Sequence, residues 1–413
     1  MNIRQSRWLT LFVFCVINLF TGSLYAWSVF SGPLATRLST LSGHPVTPTD
    51  LGVIFSIATS VNPFAMIAGG WVNDRFGARA VIPVGGVMIG VGMILASMME
   101  SVTGLMLVYG VCFGIGVGLT YTSTISSSIK FFPDRRGLAG GVASMSYGFS
   151  SILLPPIASA LIVSLGIEKT LLLLGILCGA VIVVGGLLSR RCPDNIEELI
   201  FPAGTLTQDS PRSSRHDMNW REMMATPLFW MMLLLFITGS TAALMMISSA
   251  ATIAQQQIGA SLSLAALSVS LLAVMNAAGR IVGGTVSDKI GRIPALLVNL
   301  VIAIVGLALL LLSKEGAVMG FIAGLSCVGF CYGGFVGVFP GFTVDQFGAK
   351  HNSVNYGIMA AGFSLGGVIG PWLLRLFSQP GHYDHAYWAA MVVSALGFLF
   401  AAICVVLIKR QKR

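Results

Sequence analysis

Long apolar runs, each able to cross a bilayer, decide what this chain can fold into. A membrane-spanning helix needs about 20 apolar residues to traverse about 30 Å of hydrocarbon. Reading such runs against charged and Gly/Pro punctuation gives twelve, over roughly 8–33, 51–72, 80–99, 103–129, 138–165, 170–189, 227–255, 262–286, 294–313, 317–341, 354–377 and 387–408. Hydrocarbon offers main-chain groups no partner, so each run is expected to be helical. Composition agrees: 55% of the 413 residues are hydrophobic and only 9% are charged, against about 25% charged in soluble domains. That balance excludes a cytosolic enzyme, a secreted disulfide scaffold and a disordered chain. Arg4 and Arg7 precede an apolar run that continues well past the short core of a signal peptide, so the run is read as an uncleaved first span.

The charges sort by side. Nineteen Lys/Arg fall in the amino terminus, the even-to-odd loops and the tail, whereas four, Arg37, Lys169, Lys314 and Arg375, fall opposite. This asymmetry assigns both termini to the cytoplasm and accounts for the net charge of +9. The basic residues are spread over several segments without a basic module or interleaved aromatics, so nucleic acid is not an expected partner. The seven cysteines form no C-x-x-C pair. Cys327 and Cys331 stand one turn apart with no histidine or acid beside them, and are read as packing residues. No Walker lysine loop or His-rich metal set is present, so neither enzyme chemistry nor a cofactor is expected.

The polar segment 190–226 divides the chain into residues 1–189 and 227–413, with six spans each. The halves repeat. Gly70-Trp71-Val72-Asn73-Asp74-Arg75-Phe76-Gly77-Ala78-Arg79 follows span 2, and Gly284-Thr285-Val286-Ser287-Asp288-Lys289-Ile290-Gly291-Arg292 follows span 8. Gly70 and Gly284 are 214 residues apart, as are Gly148-Phe149-Ser150 and Gly362-Phe363-Ser364. Two anchors at one offset point to a duplicated six-helix unit with parallel repeats.

The twice-occurring Gly-x-x-x-Asp-Arg/Lys-x-Gly-(x)-Arg loop resembles the signature of the major facilitator superfamily. The resemblance implies an all-α membrane protein of twelve transmembrane helices in two pseudo-symmetric six-helix bundles. It also implies a conformational latch of Gly70, Asp74, Arg75, Gly284, Asp288, Lys289 and Arg292. Here each aspartate would accept from a helix N-terminus or an arginine, and the glycines would admit close helix contact. Tyr25-Ala26-Trp27-Ser28, Phe131-Phe132-Pro133-Asp134-Arg135-Arg136-Gly137, Thr226-Pro227-Leu228-Phe229-Trp230, Ser287-Asp288-Lys289-Ile290-Gly291-Arg292 and Asn355-Tyr356-Gly357 together resemble the oxalate/formate antiporter and monocarboxylate transporter branch.

Of 39 formally charged side chains, only Arg280 lies well inside a span. It precedes Asp288 by eight residues, about 12 Å at 1.5 Å per residue, and so lies near the bilayer midplane. A charge there costs at least about 2.5–3.5 kcal/mol. All fifteen acids and all five histidines fall in loops or at span ends. Arg280 is therefore expected to bind an anionic substrate, since a planar guanidinium grips a carboxylate through two parallel hydrogen bonds. Asn276, one turn earlier, lies on the same face. The monocarboxylate pattern has an acid at that position, which Asn276 replaces.

The oxalate antiporters resembled here carry a second cation in span 11, where the Asn355-Tyr356-Gly357 alignment puts Phe363. One cation suits one carboxylate, which favours lactate or pyruvate over oxalate. Tyr121 and Phe335, also 214 apart, together with Tyr332 and Tyr25, match the branch's cavity-lining positions. Met145, Met359 and Phe363 are further candidates for an apolar wall. The expectation is alternating access in a bacterial inner membrane by a monomer that carries a small carboxylate, with a proton as the co-transported ion. Carboxylate exchange and a non-transporting anion sensor are the alternatives.

Overall fold

The computed structural model describes residues 3–48, 50–193, 196–200, 217–379 and 382–411. The first span is compound: α1 (Ile3–Thr21), a tight 3-10 turn over Gly22–Ala26, and α2 (Trp27–Ser42). The turn falls where Gly22 meets α7 (Arg136–Leu188), so closely that a Cβ there would lie 2.6 Å from the Tyr147 carbonyl oxygen. Then come α3 (Gly52–Phe76) and α4 (Ala78–Ala96). The fourth span runs through α5 (Val102–Leu105), a π-helical stretch over Met106–Phe113, and α6 (Gly114–Phe131). Such wide turns inside α-helices are local irregularities that hydropathy does not encode.

Among the described residues, eleven helices are long and apolar enough to cross a membrane. One of them, α7, has 53 residues, about 80 Å at 1.5 Å per residue and over twice the hydrocarbon thickness. It breaks at Gly166, with φ 79° and ψ 167°, a backbone conformation that glycine adopts without a Cβ penalty. The break divides it at the boundary expected between spans 5 and 6, and twelve crossings result.

Between the two sets of spans lie the short α8 (Ile196–Ile200) and α9 (Trp220–Ala225). Asn219 and Glu222 close a capping box on α9. Much of the segment 190–226, Arg212 and Arg215 included, lies outside the described residues. The second set is α10 (Pro227–Ile258), α11 (Leu262–Ile290), α12 (Arg292–Leu312), α13 (Val318–Phe347), α14 (Asn352–Met359), α15 (Ala361–Phe377) and α16 (Asp384–Gln411). Helices α14 and α15 make one span, interrupted at Ala360.

The duplication is visible in the backbone. Phe76 ends α3 and Ile290 ends α11; Ala78 begins α4 and Arg292 begins α12. Between them, Gly77 (φ 84°, ψ 169°) and Gly291 (φ 95°, ψ 158°) adopt the same left-handed turn. Packing repeats too, since α6 contacts α1, α3 and α4 as α13 contacts α10, α11 and α12.

The chain forms two compact units. One comprises Met1–Asp134, Ser146–Asp217 and Gly348–Ile358; the other comprises Arg135–Met145, Met218–Phe347 and Met359–Arg413. Large apolar side chains such as Phe64, Val163 and Val368 are among the most exposed, as befits helix faces solvated by lipid. Without a hydrophobic force between helices in lipid, close van der Waals contact holds them, and small residues permit it.

In the second unit Gly329, Gly333, Gly337 and Gly341 recur at four-residue spacing along α13. A Cβ on Gly333 would overlap the Asn276 carbonyl of α11, and one on Gly337 would overlap the Arg280 carbonyl. Overpacking of this kind costs about 1–3 kcal/mol. Gly333→Ala is therefore expected to lower the thermal unfolding midpoint of the purified protein by several degrees. Gly32→Ala, which meets nothing within 4 Å, is expected to leave it unchanged.

Candidate functional site

Arg280 lies ten residues before the end of α11 and is 2% exposed. Its Nε donates to Asn276 Oδ1 at 3.1 Å, and its Nη1 donates to the main-chain carbonyl of Ser144, on α7, at 2.6 Å. The first contact follows from helical spacing, since residues four apart share a face. It also fixes the amide: Nε is a donor, so the Asn276 oxygen faces it and the NH2 group faces away. The second contact depends on glycine, because Gly141 brings α7 onto the Arg280 carbonyl. Both acceptors are neutral, so they orient the guanidinium without cancelling its charge.

In the same unit Phe335 is fully buried against Gly239 of α10. It stacks on Phe339 at 6.0 Å; Phe339 stacks on Phe236 at 4.0 Å, and Phe363 meets Phe236 edge-on at 6.0 Å. Phe335 and Phe363 thus join one aromatic stack across α10, α13 and α15. Tyr332 and Met359 are also buried, and Met145 is half-buried.

The first unit has its own aromatic cluster. Tyr25, on the 3-10 turn, and Tyr121, on α6, both converge on Tyr147 of α7, with ring centroids 5.4 and 4.8 Å apart. Sequence reasoning passed over Tyr147. Its counterpart 214 residues on is Ala361, so the repeat that singles out Tyr121 and Phe335 is silent there.

The two signature loops make matching contacts. Asp74 accepts from the main-chain N–H groups of Ser353 and Val354 at 3.2 and 3.1 Å, in the first turn of α14. Asp288 accepts from those of Gly137 and Leu138, both at 2.8 Å, in the first turn of α7. First-turn N–H groups have no partner within their own helix, and the helix dipole favours an anion there. Gly70 and Gly284 make the approach possible: a Cβ on Gly70 would lie 2.5 Å from the Ser353 oxygen, and one on Gly284 would overlap the Gly137 carbonyl.

Cations complete both caps. Lys130 pairs with Asp74 at 2.8 Å. Arg292 pairs with Asp288 and with Asp345, each at 2.7 Å, and Asp345 also takes Arg136 at 2.9 Å. Arg75 and Lys289 stand apart from both caps, exposed at the surface, with Arg75 over the rings of Trp71 and Phe76 on its own helix. Lys130, Arg136 and Asp345 were not singled out as latch residues, because each is remote in sequence from the carboxylate it serves or opposes. Among the described residues no group of three or more His, Cys, Asp or Glu can hold a metal.

Comparison with known proteins agrees with this architecture. The family model described as Major Facilitator Superfamily matches residues 8–360. The chain is 31% identical over 367 residues to YhjX of Escherichia coli (strain K12), described as an uncharacterized MFS-type transporter, covering 89% of this chain and 87% of that one. It is 25% identical to the oxalate:formate antiporter of Oxalobacter formigenes, covering 97% and 92%. Among solved structures, a double-tryptophan mutant of XylE superposes with a TM-score of 0.77 at 14% identity, covering 98% of this chain and 96% of that one. Duplicated loops, twelve crossings and a family match along most of the chain lead to one assignment: this integral membrane protein belongs to the major facilitator superfamily.

Proposed function

We propose that the protein is a secondary active transporter of a small monocarboxylate of the L-lactate or pyruvate type. Arg280 carries the reading. A guanidinium 2% exposed within a membrane helix, oriented by two neutral acceptors, is suited to a single carboxylate. Likeness to an oxalate:formate antiporter along 97% of the chain supports a carboxylate substrate. The resemblance to the oxalate antiporters aligns Phe363, which packs against Phe236, with their second cation, and this supports a single-charge preference. Tyr332, in the same unit as Arg280, supplies aromatic surface suited to a short carbon skeleton.

Transport proceeds by alternating access of the two six-span repeats, 1–189 and 227–413. The carboxylate caps on α14 and α7 act as the latch of one state. Substrate binding offsets the Arg280 charge, which eases reorientation. Proton symport is the energy source. The molecule works as a monomer in the bacterial inner membrane with both termini in the cytoplasm.

Labelled L-lactate uptake into proteoliposomes under an inward proton gradient tests the reading. Accumulation above equilibrium is expected, and one pH unit, worth about 1.4 kcal/mol, supports about tenfold for a 1:1 cycle. Arg280→Ala abolishes it. Arg280→Lys, which keeps the charge but loses the planar fork, retains at most a small fraction. Uptake that needs preloaded carboxylate would replace symport by exchange, and uptake unaffected by Arg280→Ala would remove the anchor.

Asn276→Asp tests how neutrality beside the guanidinium matters. The new carboxylate pairs with Arg280 and competes with substrate. The apparent KM for lactate is expected to rise. A KM equal to the parent's would contradict this.

A further inference from the structure

Helix α11 grips the beginning of α7 at two points. At one, Asp288 caps the Gly137 and Leu138 N–H groups at 2.8 Å. At the other, Arg280 Nη1 donates to the Ser144 carbonyl at 2.6 Å. Along α11 the two holding residues are eight apart, about 12 Å, and along α7 the held ones are six or seven apart, about 10 Å. The spacings match. Between them the seam is bare backbone, with Gly137 on the Gly284 carbonyl and Gly141 on the Arg280 carbonyl. The two bonds just described lie at its two ends. One end is the latch carboxylate, and the other is the guanidinium assigned to substrate.

We propose that the bond from Arg280 to the Ser144 carbonyl couples carboxylate binding to release of the first turns of α7. The inference rests on the reading of Arg280 as the carboxylate anchor. A carboxylate is a stronger acceptor for guanidinium than a main-chain carbonyl, and it takes two N–H groups together. Reorienting Nη1 toward substrate withdraws it from Ser144. The cost on the α7 side is small, because the carbonyl of a residue inside a helix keeps its ordinary intrahelical donor.

Asn276 is a positioning residue in this scheme. By holding Nε it makes the guanidinium turn about that bond rather than swing away. Once the Ser144 end is released, the Asp288 cap and the Arg136–Asp345 pair still hold the first turn of α7, but the attachment six or seven residues further along is lost. Residues 136–145 belong to the second unit, whereas α7 from Ser146 onward belongs to the first. Substrate occupancy thus weakens the hold of α11 on the first turns of α7.

Hydrogen-exchange mass spectrometry on the full-length protein in nanodiscs, with calorimetric titration of L-lactate on the same sample, tests the coupling. Saturating lactate is expected to speed amide exchange within residues 137–145 by about fivefold or more, the lower end of ordinary allosteric coupling. In Arg280→Gln both the binding heat and the exchange response disappear. In Asp288→Asn the segment exchanges fast without lactate, and lactate affinity rises, because coupling between sites is reciprocal.

Lactate that binds while exchange in 137–145 stays unchanged or slows would overturn the coupling and leave the anchor standing. An Asp288→Asn protein with parental lactate affinity would also overturn it. Absence of lactate binding by the parent would remove the anchor and the coupling together. The parent alone decides the first arm, so the proposal does not depend on the folding of any variant.

Discussion

A guanidinium inside a membrane helix must be solvated by something other than water or lipid, and much of the second unit is arranged around that need. Arg280 is 2% exposed, and two of its donors reach neutral oxygens, one four residues back on its own helix and one on α7. The contact within α11 follows from helical spacing, whereas the one to α7 depends on close backbone approach. Gly333 and Gly337 bring α13 onto α11 beside Asn276 and Arg280, while Gly141 brings α7 onto the Arg280 carbonyl. Larger residues there would push the helices apart and leave a buried charge short of partners, at a cost of several kcal/mol. Glycine content and the one midspan charge are thus linked features.

The same economy recurs where the signature loops end. Each repeat closes a helix N-terminus with an aspartate, Asp74 on α14 and Asp288 on α7. The flanking cations differ, Lys130 in one case and Arg292 with Asp345 in the other. Duplication preserved the carboxylate and the glycine beside it, because a backbone cap tolerates no substitute for a short acceptor next to a residue without Cβ. Cations can reach a carboxylate from several directions, so their positions were free to diverge.

What could be read in advance follows from the range of each interaction. Twelve crossings were legible because each is a local run, and the repeat because one offset fixes many pairs. The depth of Arg280 followed from counting residues along one helix. Compound helices were not legible: the 3-10 turn at Gly22–Ala26 and the π-helical Met106–Phe113 look like any apolar sequence, since hydropathy carries no record of hydrogen-bond register. Ser144 acts through its main chain, and a carbonyl acceptor has no side-chain signature. Tyr147 lacked a repeat partner. The four-residue glycine spacing of α13 was in plain view but lost among 49 glycines, and only the contact with α11 gives it meaning.

The proposed transport turns on Arg280 binding the carboxylate group of the transported molecule. Isothermal titration of the purified protein with L-lactate and with its uncharged amide, lactamide, addresses it without relying on flux or coupling. Lactate is expected to bind and lactamide not to, and Arg280→Gln is expected to lower lactate affinity by at least about a hundredfold, as when one partner of a buried charge pair is removed. Equal binding of lactate and lactamide, or lactate affinity retained by Arg280→Gln, would contradict it.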